Sequence, residues 1–150
     1  MFRGISFLKE NGRGRLCKIF EGIDVTDFNW YYVDDESEVW TDNENEEYFD
    51  KKYYSGKEFS RCIDKDGYVI FLKLQAYSGA AKTENIASYE EYVKSDCQIV
   101  VLIYDCEYVE IYCKDTQLTK SFFDQAKRMN YRNVELITDE NDCRTSFCIK

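Results

Sequence analysis

The groups this chain offers for chemistry are 29 carboxylates, seven cysteines, 13 tyrosines and 20 lysine and arginine side chains, with no histidine. Without imidazole there is no Ser-His-Asp or Cys-His nucleophilic pair, no histidine-ligated zinc and no histidine general acid or base. A catalyst would have to be built from Cys, Lys, Tyr or carboxylates. With 29 acids, two carboxylates fall close in space by chance, so such a pair alone carries no catalytic meaning. The cysteines are poorly spaced for a metal. No Cys-x-x-Cys occurs; four residues separate Cys143 from Cys148, and six separate Cys106 from Cys113. A structural zinc site draws its soft ligands from close pairs. No metal and no cofactor is therefore expected. The thiols are expected to be reduced and to act as small buried apolar side chains, with Cys106 at a turn as the one candidate for exposure.

Two short stretches imitate ligand loops. Residues 138–142, Thr-Asp-Glu-Asn-Asp, have the acidity of a calcium loop. They lack its one-three-five spacing, central Gly and terminal Glu, so a polar hairpin turn is the better reading, with Arg144 near its acids. Gly12 and Gly14 follow a strand pattern and precede a helix pattern, like the start of a dinucleotide fingerprint. The third Gly is missing, because Cys17 stands there. Arg13 and Arg15 could take an anion at that point; a solvated turn is the plainer alternative.

The strongest chemical signal is the distribution of charge. Residues 24–50 hold eleven acids and no Lys or Arg, while the rest of the chain holds 18 acids and 20 bases. The formal net charge of −9 therefore comes from one segment. That segment also carries Trp30, Tyr31, Tyr32, Trp40, Tyr48 and Phe49. The plain reading packs these aromatics inward and leaves the acids in water. The functional reading is an acidic surface with aromatic anchors, suited to a basic protein partner, with Asp34, Asp35, Glu36, Glu38 and Trp40 as the interaction residues. Such a surface repels nucleic-acid phosphates and anionic membranes.

The elements that would position these residues centre on residues 96–115. Residues 99–103, Ile-Val-Val-Leu-Ile, are apolar on both faces, as in a central strand covered on both sides. Residues 108–113 alternate, and the turn at Asp105, Cys106 and Glu107 lets the two runs pair as a hairpin. Strands are also predicted over 3–8, 28–33, 39–40, 68–77, 134–138 and 145–149, the last two joined as a hairpin. The dipeptide Asp66-Gly67 marks a turn, and residues 43–47 read as a loop. Helices are predicted where Leu16, Ile19, Phe20 and Ile23 share a face, around Phe59 and Cys62, over 89–94 behind a Ser88/Glu91 capping box, and behind Asp115 with Leu118, Phe122, Ala126 and Met129 as the apolar stripe. If the strands flanking this last helix are sheet neighbours, they run parallel.

The segments RGISF, FNWY, YEEYVKSDCQIVVLIYDCEYVEIYCKD and ITDENDCRTSF resemble a domain-of-unknown-function family of small bacterial cytosolic proteins, DUF2691. The likeness runs from end to end and is closest over 89–147, while residues 34–57 depart most from the pattern. It implies one whole-chain domain and no particular activity.

The chain is thus expected to be one α+β or α/β domain over 1–150, with a mixed sheet, antiparallel hairpins and two to four helices. No export signal and no run of ~20 apolar residues is present, so a cytoplasmic, non-membrane location is expected. The function expected is non-enzymatic protein binding of an immunity or inhibitor kind. The alternative is a small-ligand-binding or enzymatic domain with a pocket at a sheet edge, and a pocket lined by Tyr, Arg and carboxylates would favour it.

Overall fold

A computed structural model describes residues 1–43 and 46–150. The strands are β1 (Phe2–Leu8), β2 (Arg13–Arg15), β3 (Asn29–Tyr32), β4 (Glu38–Thr41), β5 (Tyr53–Tyr54), β6 (Asp66–Tyr77), β7 (Cys97–Tyr104), β8 (Tyr108–Cys113) and β9 (Arg132–Thr138). The helices are α1 (Gly56–Cys62), α2 (Tyr89–Lys94) and α3 (Thr116–Arg128), with 3-10 turns at Leu16–Phe20, Val25–Asp27 and Asp34–Glu36. Part of the loop read at 43–47, residues 44 and 45, lies outside the described residues.

The strands form one sheet in the order β5-β3-β6-β7-β8-β1-β9, with β2 and β4 pairing to β6 off that path. The 12-residue β6 is the organising strand. Its first half pairs with β2 and β4, and its second half with β3 and β7. Gly67 was read as a turn residue, yet it lies inside β6, opposite both Gly14 and Thr41. A Cβ there would sit 2.5 Å from the Tyr48 ring, so the glycine serves close packing rather than a turn.

The central hairpin forms as its pattern predicts, with Ile99 to Tyr104 in register against Cys113 to Tyr108. The turn places Asp105 and Cys106 at φ of 50° and 67°. Alternate residues of β7 feed two separate cores. Ile99, Val101 and Ile103 face α1 and α3 with Phe7, Trp30, Leu74, Ile111 and Phe122. Val100 and Leu102 face the other way, toward Tyr77, Tyr92, Tyr112 and Phe147. A strand covered on both faces has no wet side, which is why its sequence does not alternate.

Five expectations are corrected. Among the described residues every strand pair is antiparallel, so the sheet is not mixed. The crossover through α3 is real, but β9 lands beyond β1, which lies between β8 and β9 and pairs antiparallel with each. Residues 16–20 wind as a 3-10 turn, not an α-helix. Leu16 and Ile19 meet at i and i+3, a spacing both helix types satisfy, so the pattern could not separate them. Residues 145–149 form no strand hairpin with β9. They run as a tail over the second face, where Phe147 is fully buried and its N–H donates to the Ala87 carbonyl at 2.8 Å. The Ser88/Glu91 box is half made: the Glu91 N–H donates to the Ser88 hydroxyl, while the Glu91 carboxylate accepts from Ala87. The full capping box is at Ser55 and Glu58, ahead of α1.

Candidate functional site

The acidic segment supplies β3, which lies between the edge strand β5 and β6, and β4, which pairs with the first half of β6. Its aromatics pack inward. Trp30 is buried and stacks on Phe59 at 4.2 Å, and Tyr32 stacks on Phe49 at 4.3 Å. Trp40 is half-buried, and Tyr53, on the two-residue edge strand β5, is exposed. Asp34 and Asp35 stand exposed on the 3-10 turn that follows β3. Burial raises the Tyr31 hydroxyl above its ordinary pKa, and the charges of Asp35 and Asp34 add to the shift. Burial likewise raises Tyr32, with Asp34 and Glu47 adding to it. Glu38 is half-buried, lies 3.9 Å from the Lys150 ammonium and accepts from the Trp40 indole at 3.4 Å.

Glu36 departs from the surface reading. It points inward and is buried. Its carboxylate accepts from Lys73 Nζ at 3.2 Å, from the Asn85 amide and from the Ile149 N–H at 2.9 Å. Lys73 is fully buried and also donates to the Ile86 carbonyl at 2.7 Å. The sequence signal for this was available: Lys73 is the one cation within the apolar run of β6, and a buried lysine requires a carboxylate.

At the opposite end of the sheet, a cleft of about 740 Å³ opens over β8, β1 and β9. The Arg144 guanidinium makes two bonds to Glu110, at 3.1 and 2.8 Å, and lies 5.2 Å from the Tyr104 ring centroid. Tyr104 and Tyr108 stack at 5.2 Å. Burial, with Glu110 next, pushes the Tyr104 hydroxyl up to about 12. Arg144 also donates to the Ser146 carbonyl, so most of its fork is engaged by the protein itself. Ser6, Asn133 and Glu135 line the rest. The cleft offers hydrogen-bonding groups, and no nucleophile-base pair is assembled among its lining residues.

Arg144 does lie near the acids of 138–142, its backbone N–H donating to Asp142 at 3.1 Å, but its side chain pairs with Glu110, and Arg3 makes the ion pairs with them, to Asp139 at 2.9 Å and Asp142 at 3.2 Å. Asp142 also accepts from the Tyr112 hydroxyl. Those acids are consumed in closing a turn. Among the described residues no group of three or more Cys, Asp or Glu is arranged to hold a metal. Cys97 and Cys113 are buried as expected, and burial pushes both thiols up to about 12. Cys143 and Cys148 are exposed, so the expectation of buried cysteines fails there. Both sit on the tail, whose backbone crosses the sheet without entering it. Among the described residues no helix is long and apolar enough to cross a membrane.

The architecture is therefore an antiparallel sheet covered on both faces, of α+β type. The family model described as "Protein of unknown function (DUF2691)" matches residues 2–148, and the chain belongs to that family. It is 33% identical to an uncharacterised protein, YncE, of Bacillus subtilis (strain 168), over 99% of this chain and 100% of that protein. No solved structure matches it.

Proposed function

We propose that the chain acts as a single-domain, cytoplasmic, non-catalytic binding protein. Its acidic edge, at Asp34, Asp35, Glu38 and Trp40, receives a basic protein partner, as an immunity or inhibitor protein receives a cationic toxin. The observation that carries this is the state of Asp34 and Asp35. Both are exposed, within a stretch of eleven acids and no bases, and among the described residues neither makes an ion pair. Acids with internal partners have little field left for an outside one; these two keep theirs. In this reading Tyr53, on β5, and Trp40, on β4, supply the apolar contact. The same field disfavours nucleic acid and anionic membranes at this edge.

The test is capture from native cells with two baits, the parent chain and the D34N/D35N/E38Q variant. A basic protein held by the parent and lost by the variant supports the assignment. A set of captured proteins that is the same for both baits removes it.

A second reading rests on the cleft over β8, β1 and β9. Its lining of Tyr104, Tyr108, Arg144, Glu110 and Glu135 is of the kind a polar small ligand uses. Because Arg144 and Glu110 already satisfy each other, the groups left for a ligand include Ser6, Asn133, Glu135 and the Tyr108 hydroxyl.

A further inference from the structure

A second cleft, of about 580 Å³, lies between the end of β1, the turn leading into β2, the 3-10 turn Leu16–Phe20 and the link from α3 to β9. In a chain of formal charge −9 its lining is cationic: Lys9, Arg13, Arg15, Lys18 and Arg132 against the single carboxylate of Glu10. The topology does this. Antiparallel pairing of β1 with β9 brings Leu8 opposite Arg132, so residues more than a hundred positions apart share one wall.

The five cations are not equally committed. Arg15 pairs with Asp64 at 3.0 Å, Lys18 with Glu21 at 3.4 Å and Arg132 with Glu107 at 3.1 Å. These pairs are exposed, and such pairs contribute little and exchange easily. Among the described residues Lys9 and Arg13 make no ion pair. Lys9 is half-buried, and burial draws its ammonium below the ordinary lysine value. Arg13 rests 5.0 Å from the Tyr68 ring centroid, and its own N–H is held by Asn11 at 2.8 Å. The floor is apolar: Leu8, Ile19, Met129 and the ring of Tyr131, which stacks flat on Phe7 at 4.6 Å.

We propose that this cleft binds a phosphorylated small molecule, its phosphate held by Lys9 and Arg13 and its organic body lying on Tyr131 and Met129. A phosphate dianion matches the cations in charge and suits the planar donor fork of arginine. The volume falls in the range of small-molecule sites. The short 3-10 turn supplies only Lys18 and Ile19 to the wall. The proposal uses none of the residues of the acidic edge, although β2 and β4 pair with the same half of β6.

The test uses the isotopically labelled full chain, titrated with inorganic phosphate and with phenyl phosphate. Ionic strength is held constant with sodium chloride, and amide shifts are read by NMR. Saturable shifts confined to residues 8–19 and 129–132 are expected, with phenyl phosphate binding more tightly than phosphate. Lys9→Met and Arg13→Gln should each weaken binding about tenfold, the weight of one charge-assisted hydrogen bond. Lys94→Gln, on α2, should leave it unchanged. If Lys9→Met fails to fold, the exposed Arg13→Gln variant carries the test alone. Linear shifts spread over many lysines, or variants that bind like the parent, overturn the site. Equal affinity for the two probes overturns the assignment of an organic phosphate.

Discussion

The Lys73 ammonium lies 3.2 Å from a carboxylate oxygen of Glu36, with both side chains buried. Around this pair four parts of the chain meet. They are β6 through Lys73, the turn after β3 through Glu36, the connection before α2 through Asn85 and Ile86, and the C-terminal tail through Ile149. Removing one member leaves the other charged and dry, which costs about 3–5 kcal/mol, whereas replacing both with apolar groups costs far less. Glu36→Ala should therefore lower stability in urea unfolding by that amount. The double variant Glu36→Leu/Lys73→Met should be less destabilised than the two single changes added. Additive single effects would show that the charges do not depend on each other.

The same pair gives an acid limb. Burial works to raise the Glu36 pKa, but the Asn85 amide, the Ile149 N–H and Lys73 outweigh it and hold the carboxyl below its ordinary value of 4.5. A depressed carboxyl contributes stability above its unfolded pKa and loses it as pH falls through the folded one. The parent should lose stability below about pH 4.5, and the gap between parent and Glu36→Gln should narrow over that interval. Urea midpoints measured from neutral to acid pH decide this; a gap that stays constant would mean that Glu36 does not titrate as a depressed carboxyl. Lys73 acts at the other end of the scale, because burial lowers its pKa and Glu36 only partly restores it.

The parts of the fold that were legible in sequence are those fixed by local patterns. The continuous apolar run of β7, the strand β8, and the Asp115 and Ser88 caps all form where they are predicted, the caps with Gln117 and Glu91 N–H groups as donors, although Tyr112 on the more polar face of β8 is buried too. What the sequence hid was set by long-range contacts. Nothing near α3 says whether β9 lands beside β8 or one strand further, because the outcome depends on β1, over a hundred residues earlier. The tail reads as a strand by composition, yet Phe147 is used as a plug over Tyr112 at 4.8 Å. At the acidic edge the exposure of Asp34 and Asp35 was legible; the burial of Lys73 was signalled by its place in the apolar run of β6, but which of the acids turns inward to meet it was not. The basic cleft was visible only as the local pair Arg13 and Arg15, since Lys9 and Arg132 join it through the fold.

Ile103 tests the first core. It is fully buried in β7, opposite Val109 of β8. Ile103→Ala should cost about 2–5 kcal/mol, the usual range for cutting a buried aliphatic side chain to alanine. A change within about 0.5 kcal/mol, as at exposed sites, would mean that β7 is not the core strand described.

Gly4 tests the β1–β8 contact. It is paired opposite Tyr112, and a Cβ there would sit 1.9 Å from the Ile111 carbonyl oxygen and 2.9 Å from the Tyr112 Cα. These are backbone atoms of the neighbouring strand, so they yield only if the ladder moves. Gly4→Ala should destabilise by about 1–3 kcal/mol or more, the range for overpacking. Gly79 has nothing within 4 Å of the equivalent position, and Gly79→Ala should change stability by less than about 0.5 kcal/mol. Equal thermal shifts for the two variants would contradict the close approach.

The acidic edge makes the last prediction, a kinetic one. Clustered charge of one sign steers an oppositely charged partner, and salt screens that steering over about 8 Å at physiological strength. Glu36 cannot be included in a neutralised set, because changing it breaks the buried pair and confuses binding with folding. Asp34 and Asp35 are exposed, and Glu38 is half-buried with a long contact to Lys150 and a 3.4 Å bond from the Trp40 indole that a glutamine oxygen still accepts, so D34N/D35N/E38Q should fold like the parent. With a basic partner in hand, stopped-flow association should be slower for this variant and its salt dependence flatter. Dissociation should change less, because rim charges act mainly on encounter. Trp40→Ala should do the reverse, leaving the association rate near the parent's and raising the dissociation rate, since a half-buried aromatic contributes contact rather than field. If the neutralised variant associates at the parent rate with the parent salt slope, the acids of residues 24–50 are a solvated surface, and the cleft beside Arg144 and Tyr104 becomes the better candidate for binding.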